Sequence, residues 1–265
     1  MNPLIIKKII KYQPERTEQI EDSIAVEKRV RIFVNDEEVV SLSASPLHIK
    51  ELITGFLMTE GILKGDWCPE KISLEDNGKE INAKVMLEGF VSLEGKTITS
   101  GCMSSVNFIK DLKTKINDKI SVDAKTLFNL FKEFQLKSTL YRTTGCIHAA
   151  ALADREKIFF IAEDVGRHNA VDKVIGWALL NKINFHDKIM LVSGRISSEI
   201  ALKTAKWKIP IIVSRGAPTS LALEIGDNTG LTIVGFLRGN RFNIYCHGER
   251  IYDEKGTIDK NSNEF

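Results

Sequence analysis

The sequence is short of cysteine, of excess charge and of long apolar runs, and each shortage excludes something. Its 265 residues include only four cysteines, Cys68, Cys102, Cys146 and Cys246. No two stand at metal-finger spacing, so they make neither a disulfide framework nor a zinc ribbon, and they suit a reducing cytosol. Lys and Arg number 37 against 35 Asp and Glu, a formal charge of +2. That near-balance argues against nucleic acid as the main ligand, while leaving room for a local basic patch. No apolar run approaches the roughly 18–20 residues that cross a bilayer, so no membrane partner is expected. Lys7, Lys8 and Lys11 interrupt the apolar residues at the start of the chain, which therefore does not read as a signal peptide. The expectation is a cytoplasmic α/β protein, long enough for one large or two modest domains with a core that needs no covalent staples.

The first part reads as antiparallel strands plus one helix. Residues 30–34 and 39–42 are apolar runs around Asn35-Asp36, a hairpin signal. Ser45-Pro46 reads as a capped helix start, and Ile49, Leu52, Ile53, Phe56 and Leu57 follow at helical spacing until Gly61. A second hairpin turns at Asp76-Asn77-Gly78, with Ile81, Ala83, Val85 and Leu87 alternating after it. Residues 95–106, GKTITSGCMSSV, are small and polar and read as a flexible loop. Leu127, Leu130, Phe131 and Phe134 mark an amphipathic helix that begins the second part.

Beyond residue 145 the rhythm changes. Strands are expected at 149–153 and 158–162, joined by a tight turn at 154–157. A helix follows with Val171, Val174, Ile175, Ala178 and Leu179 on one face. Then come strand 189–192, helix 198–207, strand 209–213, helix 219–225, strand 231–236 and an edge strand 242–246. This alternation predicts a largely parallel sheet with helices on its faces. Residues 256–265 read as a frayed tail.

In such a sheet, ligands bind where strands end and helices begin. Three loops there each carry an arginine, a glycine and a Ser or Asn suited to capping. They are residues 163–169 with Arg167 and His168, residues 193–198 with Arg195, and residues 214–220 with Arg215. Guanidinium forks on successive loops suit an anion with several phosphates. A fourth loop, Phe236-Leu237-Arg238-Gly239-Asn240-Arg241, adds two arginines around a Gly-Asn turn. Taken singly, any of these loops is equally an ordinary cap or turn with solvated arginines.

Cys102 lies in the unpatterned loop Ser100-Gly101-Cys102-Met103-Ser104-Ser105. It reads either as a buried small hydrophobe or as a nucleophile able to carry a persulfide. Cys68 and Cys246 have hydrophobic surroundings and read as structural. Cys146-Ile147-His148 and Cys246-His247 match no strong zinc spacing, so no metal site is expected and His148 reads first as a structural histidine.

Several segments together resemble one family. They are Thr144-Gly145-Cys146-Ile147-His148-Ala149-Ala150-Ala151-Leu152, EDVGRHNAVDK at 163–173, Ser193-Gly194-Arg195-Ile196-Ser197-Ser198-Glu199, and Ala217-Pro218-Thr219-Ser220-Leu221-Ala222. Gly235-Phe236-Leu237-Arg238 with Asn243-Ile244-Tyr245, and Thr59-Glu60-Gly61-Ile62, complete the set. In this order they resemble the formate dehydrogenase accessory sulfurtransferase family, FdhD, over nearly the whole chain. The resemblance implies a sulfur carrier that moves persulfide sulfur from a cysteine desulfurase to the molybdenum (or tungsten) bis-molybdopterin guanine dinucleotide cofactor needed by formate dehydrogenase. It implies a homodimer whose second part is a three-layer α/β/α sandwich resembling cytidine deaminases. A smaller N-terminal α+β domain would span residues 1–110 and the deaminase-like domain residues 120–265. The family's T-x-x-C-x-x-C motif falls on Thr99 through Ser105, with Cys102 as sulfur carrier and Ser105 where a second cysteine often stands. Its cofactor-binding stretch falls on Phe236, Leu237, Arg238, Gly239, Asn240 and Arg241. His148, Arg167, His168, Arg195 and Arg215 would line the same pocket.

Ser105 leaves the single carrier thiol intact but removes any step that needs a second one. A zinc deaminase needs H-x-E and a later P-C-x-x-C, and here His148 is followed by Ala149-Ala150 with no P-C-x-x-C anywhere. Two further readings remain: a non-catalytic cofactor-binding chaperone of formate dehydrogenase, and a nucleotide hydrolase, which bound zinc would favour.

Overall fold

The computed structural model describes residues 1–62, 72–86 and 114–258. The chain opens with a hairpin that the hydrophobic pattern concealed. Among the described residues, strands β1 (Leu4–Gln13) and β2 (Arg16–Ala25) pair only with each other. Doubled Ile-Ile and Lys-Lys steps blur the two-residue period there, and the pairing is legible only in charge. Lys7 faces Asp22, Lys8 faces Glu21 and Lys11 faces Glu18.

The next hairpin is the expected one. Asn35 and Asp36 both take left-handed backbone angles, the geometry of a two-residue turn that fits strand twist. They join β3 (Lys28–Val34) to β4 (Glu37–Ala44). Helix α1 (Ile49–Thr59) follows, then β5 (Ile72–Asp76) and β6 (Glu80–Val85), in a sheet ordered β4-β3-β6-β5. Alternate residues Val30, Ile32, Val34, Ile81, Ala83 and Val85 pack against Leu52, Ile53, Phe56 and Leu57 of α1 in one closed core. Gly61 ends the helix with φ +71°, as expected. The helix start differs from expectation. It begins at Ile49 after a left-handed His48 with no side-chain cap, because Ser45 is engaged elsewhere. Its Oγ accepts from Val165 N at 3.1 Å and its own N donates to Asp164 at 3.0 Å.

The second part is built on a six-stranded sheet. Short β7 (Val122–Asp123) leads into α2 (Ala124–Lys137), capped by Asp123, and then into the short helix α3 (Thr139–Thr144). The sheet comprises β8 (His148–Ala153), β9 (Ile158–Asp164), β10 (Ile189–Val192), β11 (Ile211–Ser214), β12 (Thr232–Arg238) and β13 (Arg241–Cys246). Helix α4 (Arg167–Leu180) joins β9 to β10, α5 (Ser198–Lys206) joins β10 to β11, and α6 (Ser220–Thr229) joins β11 to β12. The strand order is β13-β12-β11-β10-β8-β9.

Of the sheet's neighbouring pairs, β10–β11 and β11–β12 are parallel, and β8–β9, β8–β10 and β12–β13 are antiparallel. The largely parallel sheet expected from sequence is therefore a mixed one. The tight turn at Asp154, whose carboxylate accepts from Glu156 N and Lys157 N, forces β8 and β9 into a hairpin, and the short Gly239-Asn240 turn does the same for β12 and β13. One sheet face, with Leu152, Met190 and Ile212, packs on α4, α5 and α6. The opposite face, with Ala151, Leu191 and Val213, packs on α2. Helices thus cover both faces. Near the chain end, β14 (Ile251–Asp253) pairs with β7 and with β15 (Gly256–Thr257), so the expected tail is ordered at least as far as β15; residues 259–265 lie outside the described set.

Candidate functional site

The register puts several chain ends on one side of the sheet. β9, β10, β11 and β12 run the same way, because β8 is antiparallel to both β9 and β10. Their carboxyl ends lie together, beside the starts of the reversed strands β8, at His148, and β13, at Arg241. Arg167, Arg195, Arg215 and Arg238 stand at or just past these ends, in spatial order. From β9 to β12 is four strand spacings, about 19 Å at the usual separation.

These loops are stacked tightly, and glycine makes the stacking possible. A Cβ on Gly194 would lie 3.2 Å from His148 Nδ1 and 3.7 Å from the Arg167 Cβ. A Cβ on Gly216 would lie 3.1 Å from Arg195 Cα, and one on Gly235 would lie 3.0 Å from Gly216 O. Hydrogen bonds tie the plates together. Ser214 Oγ donates to Gly194 O at 2.5 Å and accepts from Gly216 N at 2.8 Å. Ile196 N donates to Ala217 O, Phe236 N to Gly216 O, and Arg238 Nε to Arg215 O at 3.4 Å. The residues nominated from sequence on these loops are therefore neighbours, and Arg195, Arg215, Arg238 and Arg241 are exposed.

Within the fourth loop the residues divide. β12 is irregular between Gly235 and Arg238, and Phe236 takes φ +52° there. This bulge turns the Phe236 ring outward, with the Arg238 guanidinium 5.7 Å from its centre. Leu237 points into the core against α2, so only its backbone faces outward. Gly239 and Asn240 form the exposed turn, Gly239 with φ +56°.

The two histidines are held neutral. Burial, and then the nearby Arg167, push the His148 pKa below the usual histidine value. For His168 the same two causes push it down to about 4. His168 Nε2 lies 3.1 Å from Ser197 Oγ and from Glu199 Oε2, and Ser197 Oγ donates to Glu199 at 3.0 Å. With five guanidiniums and two neutral imidazoles, this edge can bind polyanions and donate hydrogen bonds to them. Beside it is a narrow apolar slot lined by Phe131, Phe134, Tyr141, Ser193 and Arg215.

Most of the EDVGRHNAVDK segment faces inward instead. Glu163 accepts from Leu140 N and Tyr141 N at the start of α3. Lys173 and Asp164 form a fully buried pair at 2.6 Å. Asp172 bonds Lys203 at 2.6 Å and Thr59 Oγ1 at 2.9 Å, and Glu60 adds a second carboxylate 3.1 Å from Lys203. Burial opposes the charge on Lys203, but Asp172 and Glu60 outweigh it and hold its pKa above the usual lysine value. Thr59-Glu60-Gly61 and residues 163–173 are thus two halves of one seam between α1 and α4. Sequence reasoning missed this role; its signal was Asp172 and Lys203 lying among residues of buried helix faces.

Cys246 is buried, and burial with Asp227 nearby raises its thiol to about 12, in keeping with a structural role. Cys146 is exposed at the end of α3. No group of three metal-ligating side chains occurs among the described residues. Cys68 and Cys102, and with Cys102 the expected carrier loop, lie outside the described residues.

The FdhD/NarQ family profile matches residues 25–252. A sulfur carrier protein FdhD from Bacillus pumilus is 39% identical over 260 residues, covering 95% of this chain and 99% of that one. The protein of the same name from Bacillus subtilis is 33% identical over 93% of this chain and 97% of its own. Among solved structures, a candidate formate dehydrogenase accessory protein from Desulfotalea psychrophila superposes with a TM-score of 0.77 at 26% identity, covering 94% of this chain and all of that one.

Proposed function

The chain belongs to the FdhD/NarQ family, and from that premise we propose that it is a sulfur carrier serving a formate dehydrogenase. Its relatives carry the sulfur-carrier name. The observation that carries the rest is the row of arginine-bearing loops along one sheet edge. That row suits an elongated anion with a diphosphate on either side of its centre, as a molybdenum or tungsten bis-molybdopterin guanine dinucleotide presents. The cofactor is substrate here. Arg195, Arg215, Arg238 and Arg241 would take its phosphates, and the Phe236 ring offers a stacking face for a base.

The sulfur itself would ride on Cys102. Its thiolate attacks the outer sulfur of a cysteine desulfurase persulfide; the donor S–S bond breaks, the donor cysteine leaves as thiolate, and Cys102 holds the new S–S bond. Helices on both sheet faces support the reading of residues 120–265 as a deaminase-like α/β/α domain, and the separate core around α1 supports a smaller unit within residues 1–110. No helix among the described residues is long and apolar enough to cross a membrane. A cytoplasmic homodimer completes the proposal.

The test is Cys102→Ala in a strain or extract that must activate formate dehydrogenase. Activation should be abolished while guanine dinucleotide binding persists. Activation that survives in this variant overturns sulfur carriage and leaves the chaperone reading, which Ser105 at the second cysteine position favours.

A further inference from the structure

The corner between β9 and α4 presents Arg167 and His168 to the stacked loops, yet the side chains around it point the other way. Asp164, at the end of β9, is fully buried. Its Oδ1 accepts from Gly166 N at 2.8 Å and from Asn169 Nδ2 at 2.9 Å, which closes the corner on itself. Its Oδ2 accepts from Lys173 Nζ at 2.6 Å and from Ser45 N at 3.0 Å, which ties the corner to α4 and to the end of β4. Asn169 Nδ2 also reaches Ser43 O at 2.8 Å, and Lys173 Nζ reaches Ser45 O at 3.1 Å. Four donors converge on one carboxylate, three from the corner and α4 and one from the segment after β4, so they link the two cores.

We propose that Asp164 is the positioning residue of this corner: its carboxylate holds Arg167 and His168 against the loop after β10 while touching no ligand. The proposal rests on the anion-binding reading of the loops. What Asp164 fixes is the turn between β9 and α4, and that turn sets where the next two side chains emerge. The placement is close. The Arg167 Cβ is 3.7 Å from where a Gly194 Cβ would be, and His168 Nε2 is 3.1 Å from Ser197 Oγ. The charged groups facing His168 are Arg167 on its own helix and Glu199 and Lys203 on α5.

The imidazole reports its own placement, so the test needs no ligand. Proton NMR of the full chain should follow the His168 ring in the wild type, in Asp164→Asn and in Asn169→Ala. Asn169→Ala spares the buried ion pair and so keeps the question answerable if Asp164→Asn does not fold. Thr59→Val serves as the control, because it weakens the α1–α4 seam away from the corner. In the wild type His168 should titrate near 4. In either corner variant the value should rise toward the ordinary histidine range as the ring leaves its packed site, and in Thr59→Val it should stay low. Inorganic pyrophosphate affinity, read by calorimetry, should fall roughly tenfold in the corner variants, the loss of one charge-assisted hydrogen bond. A folded corner variant with unchanged His168 titration overturns the proposal, and so does an equal rise in Thr59→Val. Wild-type protein that ignores pyrophosphate would overturn the anion-site reading, while the titration still judges Asp164.

Discussion

Gly55→Ala should open the seam between α1 and α4. A Cβ at Gly55 would lie 1.8 Å from Asp172 O and 2.6 Å from its carbonyl carbon. Ordinary carbon–oxygen contact is about 3.3 Å, so the helices must separate by about 1.5 Å. The obstructing atoms are backbone and cannot rotate away. A shift of that size carries Thr59 Oγ1 from 2.9 Å to about 4.4 Å from Asp172, and Glu60 from 3.1 Å to a similar distance from Lys203. Overpacking costs about 1–3 kcal/mol, and each lost polar contact adds about 1 kcal/mol. The helical preference for alanine over glycine returns about 1 kcal/mol. The net loss is about 2–4 kcal/mol, readable as a lower urea midpoint for the full chain with an unchanged slope. Gly78→Ala is the comparison: it has a positive φ of +84° but nothing within 4 Å of an added Cβ, so its cost should stay near 1 kcal/mol. If Gly55→Ala unfolds within about 0.5 kcal/mol of the wild type, the described seam is wrong.

Gly176 meets Glu51 O at 1.9 Å across the same crossing, so Gly176→Ala should cost a similar amount and the double variant less than the sum of the two. Lys203→Met should lose about 3–5 kcal/mol in a denaturant titration, because Asp172 and Glu60 lose their shared cation. Arg215→Ala should weaken pyrophosphate binding about tenfold or more by calorimetry while the thermal midpoint barely moves, since this side chain is exposed. The lowered His168 pKa makes stability pH-dependent. The folded value of about 4 lies below the unfolded 6.5, so stability is full above pH 6.5 and falls as pH drops toward 4, by up to about 3 kcal/mol. His168→Gln should flatten that slope in denaturation curves at pH 7 and pH 4.5.

Most elements of the fold were legible from periodicity. The Asn35-Asp36 hairpin, the apolar stripe of α1 and the β-α alternation after residue 145 follow from local rules that act within a few residues. The parallel sheet was misjudged because alternation fixes element order but not strand direction; the Asp154 turn decides that β8 and β9 reverse. The cap at Ser45 misled for a related reason. Its hydroxyl and amide were already committed to Val165 and Asp164, residues some 120 positions away in sequence. At the candidate site, arginine and glycine in successive loops were visible, and the stacking of Gly194, Gly216 and Gly235 explains why both residue types recur. Invisible was the division of residues 163–173, where Arg167 and His168 face the loops while Asp164, Asn169, Asp172 and Lys173 face inward. Buried ion pairs look like solvated surface in a sequence, and only packing reveals them.

Sulfur carriage by this chain depends on Cys102. The direct measurement is mass spectrometry of the Cys102 peptide after the purified full chain has been incubated with a cysteine desulfurase and cysteine, without reductant. That peptide should gain one sulfur atom, the peptide holding the buried Cys246 none, and Cys102→Ala none anywhere. An unmodified Cys102 peptide beside a desulfurase that is itself persulfidated would contradict it.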